Sequence, residues 1–250
     1  AVDYNAGQAI TTGIENTLVG ALAGDALTTG IQNTAIGNGA LSTEDTGSRN
    51  TAIGYHALLV MDAGADAYNV AVGYNAGSTV STGIQNTLIG SLVGHNLTTG
   101  MNNVAIGYNA LGTEDTSACN IAIGAHALED QDSGAATAYN VAVGHAAGRN
   151  ITTGINNTLV GGNAGVAIVG GNNNTLIGLN AGPALTSGGD NVAIGVAALG
   201  SENDHGKNIA IGAYSLNAQD AGADAYNVAV GYNSGNVVTT GAGNTLIGGQ

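Results

Sequence analysis

The chain has no tryptophan and no phenylalanine, one proline, one cysteine and three basic residues among 250. Without large aromatics the interior must be filled by Val, Ile, Leu and Ala, which suits a thin core. A single cysteine, Cys119, excludes an internal disulfide framework. The basic residues Arg49, Arg149 and Lys207 face seventeen acidic ones, for a net charge of −14. That balance opposes binding to nucleic acid phosphates or to an anionic membrane surface. No apolar run approaches the ~20 residues of a membrane-spanning helix, and no charged-then-apolar signal segment opens the chain. Ala1 begins in mid-repeat and Gln250 stops in mid-repeat, so the chain reads as a fragment of a longer fibre protein.

What is abundant is glycine, 43 residues, together with asparagine and a repeated cassette. Asn, a β-branched residue, Ala or Leu, Ile or Val, and Gly recur from Asn16, Asn33, Asn50, Asn69, Asn86, Asn103, Asn120, Asn140, Asn157, Asn174, Asn191, Asn208, Asn227 and Asn244. Ten steps are 17 residues, and the other three are 19, 20 and 19. A fixed period of this size marks a solenoid, whose coils bury their apolar faces only against one another. The expected fold is all-β, a parallel β-solenoid of about 14 coils of 17 residues over 1–250 as a single repeat domain. Gly and Asn supply the left-handed backbone that coil corners require.

A four-coil super-repeat of about 70 residues overlies the short one. Asp62-Ala63-Gly64-Ala65-Asp66-Ala67-Tyr68 returns nearly unchanged from Asp220 to Tyr226. The third block carries an extra coil, at Asn157 or Asn174, which points to lengthening by duplication.

Within a cassette such as Asn103-Val104-Ala105-Ile106-Gly107, Val104 and Ile106 share one face of a strand and Ala105 takes the other. The β-branched face is the expected interior. The opposite face is then a stripe of small apolar residues: Leu18, Ala35, Ala52, Ala71, Leu88, Ala105, Ala122, Ala142, Leu159, Leu176, Ala193, Ala210, Ala229 and Leu246. An outward apolar stripe needs a cover, so these residues are expected to form an oligomer seam. The segment after each Gly, as in Tyr108-Asn109-Ala110-Leu111, is expected to be a return strand. The cassette asparagines are expected to form a structural ladder, each amide bonding the next coil.

Two loop types alternate. Two coils of each block carry Thr-Thr-Gly or a relative, and the next two carry most of the acids. Stacked carboxylates repel unless water or a cation separates them. A Ca²⁺ site between paired acidic loops is therefore a candidate, with Asp45, Asp62, Asp66, Asp115, Asp132, Asp220 and Asp224 as ligands. A solvated acidic rim is the plainer reading. The Thr ranks raise ice binding, although acidic loops interrupt them every two coils. The five histidines, His56, His95, His126, His145 and His205, show no second histidine at ligand spacing and no consistent carboxylate partner. That argues against zinc or catalysis.

Asn33-Thr34-Ala35-Ile36-Gly37 through Leu41, and Asn103 through Leu111, resemble the head repeats of trimeric autotransporter adhesins of the YadA type. They resemble still more the Asn-Thr-Ala-Ile-Gly-Tyr-x-Ala-Leu repeats of phage tail fibres and related bacterial surface proteins. The Thr-Thr-Gly-x-x-Asn-Thr connector at Thr28–Thr34 and Thr152–Thr158 is similar to the second group. The resemblance covers the whole chain and implies a left-handed β-roll in which three chains pack side by side. The period of 17 is longer than the adhesin repeat, the acidic loops are longer, and no stalk, anchor or chaperone follows. The expected function is a non-enzymatic, extracellular or virion fibre segment that attaches to a cell-surface glycan or protein. A self-assembling filament is the alternative partner arrangement, a homopolymer in place of a homotrimer.

Overall fold

The computed structural model describes residues 1–114, 116–134 and 137–249. Two compact units are distinguished: Ala1–Asn120 with Gly134–Thr137, and Ile121–Ser133 with Ala138–Gln250. The first holds strands β1 (Thr17–Val19), β2 (Thr34–Ile36), β3 (Thr51–Ile53), β4 (Val70–Val72), β5 (Thr87–Ile89) and β6 (Val104–Ile106). The second holds β7 (Ile121–Ile123), β8 (Val141–Val143), β9 (Thr158–Val160), β10 (Thr175–Ile177), β11 (Val192–Ile194), β12 (Ile209–Ile211), β13 (Val228–Val230) and β14 (Thr245–Ile247). In each unit consecutive strands pair parallel and in register, Leu18 opposite Ala35 and Ala193 opposite Ala210. The fold is a parallel β-solenoid with one three-residue strand per coil. Among the described residues no helix is long and apolar enough to cross a membrane.

The two faces of the strand lie the other way round from the sequence expectation. Ala35, Ala52, Leu88, Ala105, Leu159 and Ala193 are fully buried within the chain, whereas Val19, Ile36, Ile89 and Ile177 remain 36–38% exposed. The stripe assigned to an oligomer seam, Leu18, Ala35, Ala52, Ala71, Leu88, Ala105, Ala122, Ala142, Leu159, Leu176, Ala193, Ala210 and Ala229, is thus the interior of the coil. Leu246, in the last coil, is half-buried. The strand alternates with period 2, as its sequence predicts, but both faces are apolar and alternation alone does not say which is inside. In each three-residue strand the middle residue faces in and the two that flank it face out.

Nor is the segment after the cassette glycine a strand. It is a pair of tight turns with alternate residues in the left-handed region, such as Leu22 (φ 58°) and Gly24 (φ 54°), or His56 (φ 54°) and Leu58 (φ 49°). The turns still bond neighbouring coils, the Leu22 amide to Tyr4 O and the Gly24 amide to Ala40 O, both at 2.9 Å. Their third residue, as in Ala23, Ala40 and Ala57, lies in the core.

Leu and Gly alternate across that core. Coils with Leu at the strand centre (Leu18, Leu88, Leu159, Leu176) have Gly at the fourth turn residue (Gly24, Gly94, Gly165, Gly182), and many Ala coils have Leu there (Leu41, Leu58, Leu111, Leu199). A Cβ on Gly94 would meet Leu88 Cδ2 at 3.0 Å, and one on Gly77, a coil earlier, would meet Leu88 Cδ1 at 2.7 Å. The glycines make the volume that each leucine occupies, which keeps packing dense at constant coil width.

The cassette glycine has a separate reason. All fourteen have φ between 122° and 143°, and a Cβ on Gly90 would sit 2.5 Å from the Gly107 carbonyl oxygen. Coils therefore stack at backbone contact where any side chain would intrude.

Candidate functional site

The asparagines form two continuous ladders, one in each unit. The Asn33 amide donates to Asn16 Oδ1 at 2.9 Å, Asn50 to Asn33 at 2.9 Å, and Asn86 to Asn69 at 2.9 Å. In the second unit Asn157 donates to Asn140 at 2.9 Å and Asn244 to Asn227 at 2.8 Å. The side-chain Nδ2 donates to the corner fourteen residues on, Asn33 to Gly47 O at 2.9 Å and Asn86 to Gly100 O at 2.9 Å. Each such side chain thereby satisfies one backbone donor and one acceptor that a buried corner leaves open. At Asn50 the following loop is longer, and its Nδ2 has no partner. The residue before each ladder asparagine is left-handed, thirteen non-glycine residues from Glu15 to Tyr226 at φ 53–64° and Gly243 at 70°. Those thirteen are Glu, Gln, Arg, Tyr, Asn, Cys, Asp or Lys and never β-branched, as that conformation demands. Cys119 (φ 64°) is one of these corner residues.

Several loop threonines, among them the first of the Thr-Thr-Gly pairs, turn their hydroxyls to neighbouring coils. Thr28 Oγ1 donates to Asp45 O at 2.9 Å, Thr11 to Thr28 O at 3.2 Å and Thr186 to Asn203 O at 3.3 Å. They are coil-to-coil ties.

Of the seven aspartates proposed for Ca²⁺, Asp45 and Asp62 come together with Glu44, their ligand atoms within 4.8 Å of one another. Asp220 gathers instead with Glu202 and His205. Asp66 and Asp224 are set against cations: Asp66 pairs with Arg49, and Asp224 Oδ2 lies 2.5 Å from Lys207 Nζ. Lys207 holds the Asp224 carboxyl below its usual range, helped by the Gly206 amide. Asp62-x-Gly-x-Asp66 therefore does not act as one ligand loop. Asp132 is exposed and joins no such group among the described residues. Asp115 lies outside them. The third basic residue, Arg149, pairs with Glu129 at 2.6 Å.

The acidic coils also hold buried glutamates. Glu44, Glu114 and Glu202 are fully buried at the seventh residue after the cassette glycine, where other coils place Leu27, Val80, Leu97 or Ile151. Burial raises the Glu44 carboxyl above its ordinary 4.5, against the opposing pull of the Gly47 and Ala63 amides. Burial likewise raises Glu202. Superposing the coils by their cassettes shows a Glu in a Leu position, the signal that a reading by loop composition passes over.

Tyrosines line the outside of the turns. Tyr55 and Tyr74 stack with centroids 5.5 Å apart, and Arg49 and Lys207 lie 5.4 and 5.3 Å over Tyr68 and Tyr226. His56 stacks on Tyr55 at 3.8 Å, His95 Nδ1 is 2.9 Å from Leu92 O, His126 Nδ1 is 2.9 Å from Glu129, and His145 packs edge-on to His126. Comparison with protein-family models, curated proteins and solved structures returned no match.

Proposed function

We propose that the chain is a non-enzymatic scaffold, a segment of an extracellular or virion fibre whose copies associate as a trimer and present their loops for attachment to a cell surface. The observation that carries this reading is the outer face of the strands. Its residues are Thr, Val and Ile in two ranks, without a charge in either unit, and many are a third or more exposed. Contiguous apolar surface of this kind marks association. A second copy is the matching occupant, because it offers the same uncharged ranks at the same coil spacing, while a net charge of −14 acts against unspecific approach elsewhere. The resemblance to trimeric fibre repeats supports three as the number of copies. Repeated loops along several chains would then combine weak contacts into useful avidity.

Sedimentation analysis tests the proposal. The expected species contains three chains at all concentrations, and Ile36→Lys with Ile89→Lys yields a monomer with an unchanged circular dichroism spectrum. A monomeric parent protein rejects it, and a species that lengthens with concentration supports the filament.

A second reading rests on the same face. Thr17, Thr34 and Thr51 stand consecutively at the first strand position on its outer side, whereas the first threonine of the loop pairs has its hydroxyl engaged. Val70 and Val104 interrupt the strand rank. Ice binding would show as thermal hysteresis of the purified protein, and its absence removes this reading.

A further inference from the structure

The buried glutamates of the first and third blocks occupy the same place but have different surroundings. In the first block Glu44 is fully satisfied, its Oε1 accepting from the Gly47 amide at 2.6 Å and its Oε2 from the Ala63 amide of the next coil at 3.3 Å. In the third block the residue three after Glu202 is His205 in place of glycine. The Glu202 side chain has no exposure, and neither of its oxygens has a hydrogen-bond partner. The His205 and Asn203 amides are near enough to favour its charge, but neither reaches bonding geometry. His205 Nδ1 lies 3.7 Å from Glu202 Oε1 and is itself buried without a hydrogen bond. From the next coil Asp220 brings a carboxylate, so that the three ligand atoms lie within 4.8 Å of one another.

A carboxylate removed from water and left unbonded is strongly disfavoured, which is why buried polar groups are almost always paired. Glu44 offsets that penalty by accepting from two backbone amides, and Glu202 has no such bond. We propose that Glu202, His205 and Asp220 bind one divalent transition-metal ion of the zinc class and so join two consecutive coils.

The donor set selects the ion. An imidazole nitrogen with two carboxylates suits Zn²⁺ and its neighbours, whereas Ca²⁺ takes oxygen ligands in larger number. Three protein ligands leave a fourth tetrahedral position for water. Metal–ligand bonds of about 2.0–2.2 Å need the ligand atoms within about 4 Å of one another. The half-buried His205 and the exposed Asp220 close that small gap, while Glu202 is already held. Glu44, Asp45 and Asp62 make no equivalent site, since Glu44 is bonded at both oxygens and no nitrogen joins them. The sequence argument against zinc fails at His205 because its carboxylate partner comes from an interior position and its third ligand from the following coil.

The test is Zn²⁺ titration of the full chain by calorimetry in excess Ca²⁺, with visible absorption of the Co²⁺ form. One ion per chain, a raised Tm and d–d bands of a four-coordinate N/O site are expected. His205→Gln and Asp220→Asn should each weaken binding by at least about tenfold, the lower end of what even outer-shell changes cause, and His145→Gln should not. Both ligand variants alter side chains that reach solvent, and circular dichroism confirms that they fold. Absence of binding, affinity unchanged in both variants, or equal stabilisation by Ca²⁺ overturns the proposal. Unchanged affinity would mean that the acidic surface as a whole holds the ion.

Discussion

Gln85, at φ 60° before ladder residue Asn86, shows how strict a seemingly permissive position is. Its side chain type is nearly free, but its backbone is not. Gln85→Val should cost about 1–2 kcal/mol, the scale of left-handed strain, and Gln85→Gly should be neutral or stabilising. Denaturant midpoints of the two variants check this, and equal loss in both would remove the strain argument. Glu44 makes a second residue-scale case. Its folded carboxyl lies above the ordinary 4.5 because of burial. Below that ordinary value the group is protonated in both states and carries no penalty. As pH rises from there through the raised folded value, the unfolded chain releases its proton first and stability falls. Glu44→Gln should flatten the decline in unfolding free energy over this window, and parallel profiles for the two proteins would show that the penalty lies elsewhere.

At the scale of one coil, strand centre and turn act as a unit. Ala105 and Leu111 hold in their coil the places that Leu88 and Gly94 hold in the preceding one. Ala105→Leu alone should overpack the coil by roughly 1–3 kcal/mol, and Leu111→Gly alone should leave a void costing about 2–5 kcal/mol. Together they recreate the Leu–Gly coil found at Leu88 and Gly94, so the double variant should be more stable than the sum of the single losses. Additivity in a double-mutant cycle would reject volume compensation. The cassette and its period were legible because each is a run of neighbours in sequence. The pairing of Leu with Gly joins positions in different parts of the coil, and the turn conformation of x-x-Ala-Leu was hidden because leucine rarely takes φ near 50°.

For the molecule as a whole, charge and apolar surface act in opposite directions. Each of the three basic residues is taken up in an ion pair between coils, so the remaining acids repel a second chain. Such exposed pairs contribute about 0–1 kcal/mol each. Screening over about 10 Å at 0.1 M salt should therefore strengthen association. In a variant whose seam is weakened by Ile36→Ala, so that trimer and monomer coexist, the dissociation constant measured by sedimentation should fall as salt rises, and an increase would mean that ion pairs hold the copies together.

Periodicity determined the fold class, the asparagine ladder and the need for glycine at each cassette end, because a repeat forces identical residues into identical stacked places. Alternation separated Ala105 from Val104 and Ile106 without saying which side faced in. Only the tertiary structure decided that: the strand centre faces in with Ala or Leu, and the two β-branched residues that flank it face out. It also decided which acids meet. Asp66 and Asp224 went to cations, and Glu202, His205 and Asp220 were drawn together across two coils, because loop length and the inward seventh position place side chains that sequence spacing keeps apart.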